Sequence, residues 1–464
     1  MNSANSEYSL ESCIAIALEK NQQQPASQFA VEMAEAQHRQ ALSGYWPQVN
    51  FSGAYRRTDG RPNFIFSGDS IELPASTSVI NIPPGVLGPG PISLPVSVPP
   101  QTIDIPDFNV ELLDEDSVTG SLELQWLLFD GGMRKGLREQ SRSGLEAAKQ
   151  AARLTELEII ESVKRTYYGS VLASQLHQLG KDTLGRMEAT LELTESMYKE
   201  GAGVVNKTDY LGNKVVVDSI RAMVATLNSN DIMARAALAN YMGLSWRESV
   251  TPVDTEIKHN PLDLNLESMV GTAYRFNPDW ARMEAGINAA KGNLRTRKSG
   301  NMPRIALVGE VHRYWNSLDS GLSTDENLEG WSAGLGIEVP IFDGYLTRNK
   351  VRHARAKLEQ LKSQQILLSE GIGLQVRHLV VTLNATAEQY VSTKSAMESA
   401  IENRDLNERA YRNGLAETED VIQAQLIESL ISAQHFRVAY DYVRLVSKLE
   451  LTIGRELLDQ LAGL

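Results

Sequence analysis

The chain states the same pattern twice. Leu122-Glu-Leu-Gln-Trp-Leu-Leu-Phe129-Asp130-Gly131-Gly132 returns as Leu335-Gly-Ile-Glu-Val-Pro-Ile-Phe342-Asp343-Gly344, 213 positions later. Each copy is an alternating apolar run that ends in Phe-Asp-Gly and opens into a very long polar helix. Further landmarks recur in the same order. Leu10-Glu11-Ser12 and Asn21 match Leu266-Glu267-Ser268 and Asn277, and Pro47 and Arg57 match Pro303 and Arg313, all 256 positions apart. Tyr198-Lys-Glu-Gly201 matches Tyr411-Arg-Asn-Gly414 at 213. A tandem repeat of this kind constrains the fold before any single element does. The offset shrinks because the first copy holds 43 more residues between Arg57 and its Phe-Asp-Gly strand.

Each copy reads as helix, strand, loop, strand, long helix, turn, helix. From about Ser9 to Ser43 the first copy is helical, with Ile14, Ala17 and Leu18, then Phe29, Met33, Ala36 and Gln40, at helical spacing. Pro47 ends that helix. Val49, Phe51, Gly53 and Tyr55 then alternate on one face of a strand over about 48–57. Residues 58–117 are rich in Pro, Gly and Ser, including Pro83-Pro84 and Pro89-Gly90-Pro91. That punctuation forbids a continuous helix, and a connection so long is a functional or mobile segment. The next strand, about 118–129, puts Leu122, Leu124, Trp126 and Leu128 opposite Glu123 and Gln125.

Nothing breaks the helix that follows, over 133–200, and at 1.5 Å per residue it spans roughly 100 Å. Leu154, Leu157, Ile160, Val163, Tyr167 and Val171 mark its apolar stripe. A reversal at Glu200-Gly201-Ala202-Gly203 leads to a helix over 206–242. The first copy thus occupies 1–243, and Pro252 and Pro261 punctuate a linker over 244–262. The second copy, 263–454, repeats the order: a helix from Leu266 to Ser299, strands over 304–315 and 331–342, and helices over 345–411 and 417–453. Leu361, Leu368, Ile372, Val376, Leu379 and Leu383 recur at 3–4 spacing in its long helix. Residues 455–464 form a tail.

Helices so long exceed anything a compact α+β domain packs. Four strands, two per copy, cannot close a barrel, and a four-stranded sheet leaves two bare edges. Strands of about ten residues with one apolar face suit a lipid-facing barrel wall. No stretch approaches the ~20 consecutive apolar residues of a membrane-spanning helix, which leaves spanning strands untouched. Three chains would supply twelve strands, enough to leave an aqueous lumen. Tyr55, Trp126, Tyr314 and Trp331, near strand ends, suit interfacial positions.

Other classes find little support. A net charge of −13 argues against a nucleic-acid surface. Cys13, the single cysteine, lies in an apolar-periodic segment and reads as a buried small side chain. The seven histidines are scattered, without paired ligand spacing. No metal site, cofactor site or nucleophile–base arrangement emerges. The start, Asn2-Ser-Ala-Asn-Ser-Glu-Tyr, reads as a mature start behind an added methionine, with no secretory signal before it. The competing class is a soluble coiled-coil scaffold or adaptor, for which the long helices alone would argue.

Taken together, the duplicated strand, the Phe-Asp-Gly motif, the long helix and the Tyr-x-x-Gly at each far turn resemble the TolC-type outer-membrane efflux family, over about Tyr8 to Arg455. The resemblance implies a mixed α+β membrane protein: a homotrimer whose twelve-stranded transmembrane β-barrel sits in the bacterial outer membrane and continues as a long α-helical coiled-coil tunnel in the periplasm. It implies a passive exit duct for drugs, ions or proteins in a tripartite efflux pump or type I secretion system. Its partners would be a periplasmic adaptor and an inner-membrane pump of the resistance or ABC type, besides outer-membrane lipid. An equatorial belt would form from Ser245 to Leu262 and the tail.

The resemblance also assigns site residues. Asp420, six residues after Gly414, occupies the position of the family's lumen-facing gate aspartate, where three carboxylates would surround one axis. A second aspartate of the family is Gln423 here, and a gate-locking arginine is Ala416. Thr208-Asp209 matches the gate partner, which implies a Tyr411–Asp209 hydrogen bond as the closed-state latch. Asp209 lies eight residues after Gly201 but six after Gly203, so either glycine can be the turn residue. Glu417 and Glu419 read as helix N-terminal carboxylates that complement the dipole. Gly201, Gly203, Gly414 and Leu415 are helix-reversal residues, and by the resemblance the surface on which adaptor hairpins dock.

Overall fold

The computed structural model describes residues 7–57, 59, 116–200, 205–315 and 329–454, with six short strands inside 63–111. In chain order the first copy supplies β1 (Glu7–Tyr8), α1 (Leu10–Lys20), α2 (Gln23–Ser43) and β2 (Gln48–Arg57). Next come β3 (Asn63–Phe66), β4 (Ser70–Leu73), β5 (Thr77–Ile82), β6 (Ile92–Ser97), β7 (Gln101–Asp104) and β8 (Phe108–Glu111). Then follow β9 (Asp116–Phe129), α3 (Met133–Lys199), α4 (Lys207–Tyr241) and, in the linker, β10 (Thr251–Pro252). The second copy supplies α5 (Leu266–Phe276), α6 (Pro278–Lys298), β11 (Arg304–Trp315), β12 (Glu329–Glu338), α7 (Leu346–Arg412) and α8 (Thr418–Ile453).

Two compact units cut across the copies. One comprises residues 1–29, 150–281 and 366–464, the other 30–149 and 282–365. Each therefore draws on matching parts of both repeats.

The second of these units holds a four-stranded antiparallel sheet in the order β12-β11-β9-β2. Its register aligns Phe51, Leu122, Val311 and Trp331 in one row across all four strands. The adjacent row is Asn50, Glu123, Glu310 and Ser332. Because neighbouring rows point to opposite faces, one face is apolar and the other polar. The apolar row is open, with Phe51 76 % and Trp331 78 % exposed. Tyr55, Trp126 and Tyr314 are exposed as well. β12 stops at Glu338, short of the expected 342, because Pro340 supplies no ladder donor.

Within the Pro-rich segment of the first copy the described strands form three antiparallel pairs. Asn63 faces Glu111, Ser70 faces Asp104, Thr77 faces Ser97 and Ile82 faces Ile92, so the three strand pairs keep one common register. That register differs by a single residue from the one pairing Arg57 with Asp116 in β2 and β9. Pro95 sits in β6 opposite Val79, a position open to proline because a two-stranded ribbon always has a free edge. The loop around Asp319-Ser-Gly321 and the tail 455–464 lie outside the described residues.

Each Phe-Asp-Gly corner is a helix cap. Asp130, 5 % exposed, accepts from the backbone of Gly132 and Arg134, both at 2.9 Å, and pairs with Arg134 Nε at 2.7 Å. Arg134 donates in turn to the carbonyls of Gly44, Leu127 and Leu128. Gly131 and Gly132 adopt φ of 64° and 93°, and a Cβ on Gly131 would lie 2.1 Å from Met302 Cβ. In the second copy Gly344 and Tyr345 take the left-handed pair, at 64° and 65°. There the Asp343 carboxyl accepts from Thr347 N at 2.8 Å, and bonds from Thr347 hold it below the usual carboxylate range.

In the other unit the expected helix Ser9–Ser43 proves to be two, α1 and α2, with residues 30–43 of α2 belonging to the sheet-bearing unit. Asn21 ends α1, donates from Nδ2 to Tyr241 O at 2.9 Å and caps α2 through Gln23 N at 2.9 Å. Asn277 does the same between α5 and α6, donating to Thr452 O at 2.7 Å and accepting from Trp280 N at 2.9 Å. The expected helix Leu266–Ser299 is accordingly also divided. With its phase reset, α2 buries Ala34 and Ala41 and leaves Phe29, Met33 and Gln40 exposed, against the predicted stripe.

The core of this unit packs α1, α3 and α4 around Cys13, Ile159, Val163, Tyr167, Val171 and Leu238. Burial pushes the Cys13 thiol up to about 12. Leu154, Leu157 and Ile160 are half-buried, and Ile159 takes the fully buried place beside Val163. A second cluster joins α5, α7 and α8 through Met269, Ile372, Val376, Leu379, Leu383, Leu445 and Leu449. α7 is long and apolar enough by composition to cross a bilayer, with Ile372, Val376, Leu379 and Leu383 in that cluster and Ile366, Leu367, Leu374 and Val381 exposed.

Candidate functional site at the helix-reversal turns

The second turn is fully described. α7 ends at Arg412, and Gly414, with φ of 68°, reverses the chain while Leu415 N reaches back to Ala410 O at 2.8 Å. This six-to-one bond satisfies a helix-end carbonyl, and the left-handed residue it needs is one that glycine adopts without Cβ strain. Leu415 is 81 % exposed. In the first turn Gly201 and Gly203 lie outside the described residues.

Asp209 and Asp420 occupy equivalent places. Asp420 Oδ2 accepts from Glu417 N at 3.1 Å, and Asp209 Oδ2 accepts from Asn206 N at 2.9 Å. Each is the third residue of its helix and closes a capping box. Asn206 Oδ1 in turn accepts from Thr208 N and Asp209 N at 2.7 and 3.1 Å. This equivalence selects Gly203 as the counterpart of Gly414, since each aspartate lies six residues beyond its glycine. Asp420, Gln423, Thr208 and Glu419 are exposed.

The Tyr411–Asp209 latch is not what Tyr411 makes. Its ring is 3 % exposed, and its hydroxyl meets Thr194 Oγ1 at 2.8 Å and Thr418 Oγ1 at 3.1 Å. Asn213 Nδ2 donates to the same Thr194 oxygen at 3.2 Å. One hydroxyl cluster therefore ties α3, α4, α7 and α8 together, while the Asp209 carboxylate is occupied in capping α4.

A second polar layer joins three of these helices, α3, α7 and α8, farther from the turn. Gln425, 1 % exposed, donates to Thr190 Oγ1 at 3.2 Å and Glu408 Oε1 at 2.8 Å. Glu428, 4 % exposed, accepts from Arg186 Nη2 at 2.7 Å and faces Arg404 Nη1 at 3.5 Å. Arg404 also holds Asp405 at 2.6 Å, and Ser432 donates to Glu428 at 3.3 Å. A cavity of about 110 Å³, lined by Arg186, Thr190, Glu408 and Gln425 together with Leu193 and Val421, opens beside Tyr411. Two buried atoms of these lining residues, Gln425 Oε1 and Arg186 Nε, have no protein partner.

Sequence reasoning placed the turn, read Asp209 and Asp420 as gate residues without foreseeing that both are caps, and missed this layer. The signal was present. Val421, Gln425, Glu428, Ser432 and His435 are all buried, at the 3–4 spacing of a coiled-coil seam. Polar residues in such a seam mark a register or switching role more often than a stability role. Among the described residues no group of His, Cys, Asp and Glu could hold a metal ion.

Comparison with known proteins decides the family. The model of the outer membrane efflux protein family matches residues 111–244 and 270–455. The chain belongs to that family. Among its relatives, nodulation protein T of Rhizobium leguminosarum bv. trifolii is 25 % identical over 341 residues, which cover 72 % of this chain and 71 % of that protein. The outer membrane efflux protein BepC of Brucella suis is 22 % identical, over 74 % of this chain and 73 % of its own. Among solved structures, CusC superposes with a TM-score of 0.74 at 17 % identity, over 98 % of this chain and 95 % of its own. This outer membrane efflux protein is thus an exit duct for efflux or secretion, located in the outer membrane and extending into the periplasm. Family and fold are those of channel proteins rather than of enzymes, and the coiled-coil scaffold is not favoured.

Proposed function

We propose that three copies close a twelve-stranded barrel in the outer membrane and continue it as a helical tunnel, gated at the helix-reversal turns. The observation that carries this reading is the open sheet. Four strands with an exposed apolar face and free edges at β2 and β12 would be a liability in water. Lipid on the apolar face and neighbouring copies at the two edges remove both problems. The polar row Asn50, Glu123, Glu310 and Ser332 would then line the lumen. Exposed Phe29 and Met33, one helical turn apart on α2, suit contact with a neighbouring copy.

Within this reading Asp420 is the gate carboxylate, repeated three times about the axis, with Gln423 and Thr208-Asp209 nearby and Tyr411 as the buried pin that holds the turn. Gly201, Gly203, Gly414 and Leu415 form the docking tip for a periplasmic adaptor, which connects the duct to an inner-membrane pump. The exposed Leu415 side chain supports such docking, since an isolated apolar side chain on a tight turn suits insertion into a partner groove. The test is the mass and spectrum of detergent-extracted protein. A trimer with a heat-resistant β signal is expected. A monomer with helical signal alone would refute the barrel.

A further inference from the structure

We propose that the junction between β12 and α7 is a binding site for an anionic glycerophospholipid, with the lipid phosphate held in a groove of arginines. This rests on the reading that β12 lies in the membrane. An open groove of about 820 Å³ is lined by Lys298, Asn301, Tyr345, Arg348, Arg352 and Arg355, among others, and no acidic residue contributes to it. Arg348, Arg352 and Arg355 recur at i, i+4 and i+7 and so share one face of α7. Lys298, at the end of α6, and Asn301, in the turn after it, supply the opposite wall. Gly300 fixes the two walls together, since a Cβ there would stand 2.9 Å from Thr347. Among the described residues, none of the four cations makes an ion pair.

Ordinary helix electrostatics does not explain this placement. Basic residues in the last turn of α6, Arg295, Arg297 and Lys298, complement the negative end of its dipole. The first turn of α7 holds no acid of its own but carries Arg348, at the positive end of the dipole, and Arg352 and Arg355 extend the same basic face through the next two turns. Asp343 is engaged with Thr347 N. From Gly344 to Leu358 the sequence has five Lys or Arg and no Asp or Glu, in a chain of net charge −13.

The neighbourhood selects a lipid over a free anion. Directly before the groove, Val339, Ile341, Phe342 and Tyr345 are exposed, with Ile341 at 95 %. An apolar run, an aromatic ring and a cationic groove in succession match the acyl, interfacial and phosphate levels of one leaflet. The polar face of α7 meets phosphate while Ile341 and Phe342 meet acyl chain.

The test uses the full chain in detergent with phosphatidylglycerol or phosphatidylethanolamine of identical acyl chains, read by native mass spectrometry. Wild type should retain phosphatidylglycerol over phosphatidylethanolamine by about tenfold or more. An Arg348→Gln/Arg352→Gln/Arg355→Gln variant should lose the preference while keeping its oligomeric mass. Lys291→Gln, on exposed α6 surface outside the groove, should keep it. Equal retention of both lipids by wild type, or undiminished preference in the triple variant, would overturn the proposal. Displacement of phosphatidylglycerol by millimolar inorganic phosphate would also overturn it, in favour of a free-anion site. A chain soluble without detergent sinks the membrane reading itself, whereas a detergent-dependent chain with no lipid preference sinks only this site.

Discussion

Replacing Glu428 by alanine should loosen the turn end of the four-helix region without unfolding the rest. The carboxylate is 5 % exposed and faces two guanidiniums, Arg186 at 2.7 Å and Arg404 at 3.5 Å. Removing one partner of a buried pair costs about 3–5 kcal/mol, because the remaining charge stays desolvated. Here that figure is reduced. Arg186 is 26 % exposed and can turn toward water, and Arg404 keeps Asp405 at 2.6 Å. The expected cost is therefore about 2–3 kcal/mol.

Because the perturbation is local, hydrogen exchange is the suitable assay. Amides of α7 near Arg404 and of α8 from Val421 to Ser432 should exchange roughly 30- to 150-fold faster, while the sheet and α5 stay unchanged. Single-channel conductance in planar bilayers should rise in the same variant. An Arg186→Met/Glu428→Leu pair, which replaces the ions by apolar contacts, should restore most of the protection. Acceleration of less than about threefold in Glu428→Ala would show that the pair contributes no more than a surface bridge. The buried polar seam would then have no part in holding the turn.

Asp420→Asn keeps the helix cap and removes the charge, so it should weaken cation block of the channel with unchanged thermal stability. Asp420→Ala removes both and should add a local loss of about 0.5–2 kcal/mol at the α8 start; identical block in wild type and Asp420→Asn removes Asp420 from the gate. Gly131→Ala should destabilise by at least about 2 kcal/mol and lower the yield of heat-resistant oligomer, since its Cβ meets Met302 at a positive φ. Gly344→Ala, at the matching φ with nothing within 4 Å, should cost only about 1 kcal/mol, and equal losses would refute the packing argument. His259 is stacked on Tyr390 at 4.2 Å and against Tyr442 at 4.4 Å, and burial lowers its pKa below the usual 6.5. A depressed pKa gives stability that is present above 6.5 and lost as pH falls below it. The linker 250–262 should therefore exchange faster at pH 5.5 than at 7.5 after correction for intrinsic rates, and His259→Phe should abolish the difference. His435, facing Tyr390, Thr393, Lys394 and Glu398, is lowered chiefly by burial and adds in the same direction.

Much of the fold is legible because its strongest determinants are local. Alternation fixes four strands, and the Phe-Asp-Gly corners are caps whose geometry follows from one carboxylate and two left-handed residues. What escapes is set by distant partners. Nothing near Asn21 announces a helix break; its amide ends α1 by reaching Tyr241, a contact 220 residues away. Its counterpart was more legible, since Pro278 after Asn277 suits the first position of a new helix. The candidate site divides in the same way. The turn glycines are readable from the sequence, whereas Tyr411 and Glu428 are held in part by Thr194 and Arg186 on α3, more than 200 residues away along the chain.

The two matched tyrosines show what duplication left free to change. Tyr198 and Tyr411 occupy the same place before their turns, yet Tyr198 is 38 % exposed and stacks on Tyr210 at 6.0 Å, while Tyr411 is buried and hydrogen-bonded. The cause lies a few residues on. α3 ends at Lys199 and α4 begins at Lys207, whereas α7 ends at Arg412 and α8 begins at Thr418, so the first turn is two residues longer. Both turns deliver their aspartate to the same cap. Only the shorter one brings a threonine hydroxyl, Thr418 at 3.1 Å, to the tyrosine hydroxyl, and the matching first residue of α4 is Lys207. The pin is therefore a property of the second copy, and among the described residues Tyr198 makes no matching hydroxyl contact. Inserting two residues between Leu415 and Ala416 tests this directly: α8 should keep its cap, Tyr411 should lose Thr418, and exchange at the second turn should approach that at the first. If the insertion leaves Tyr411 protected, turn length is not what separates the copies.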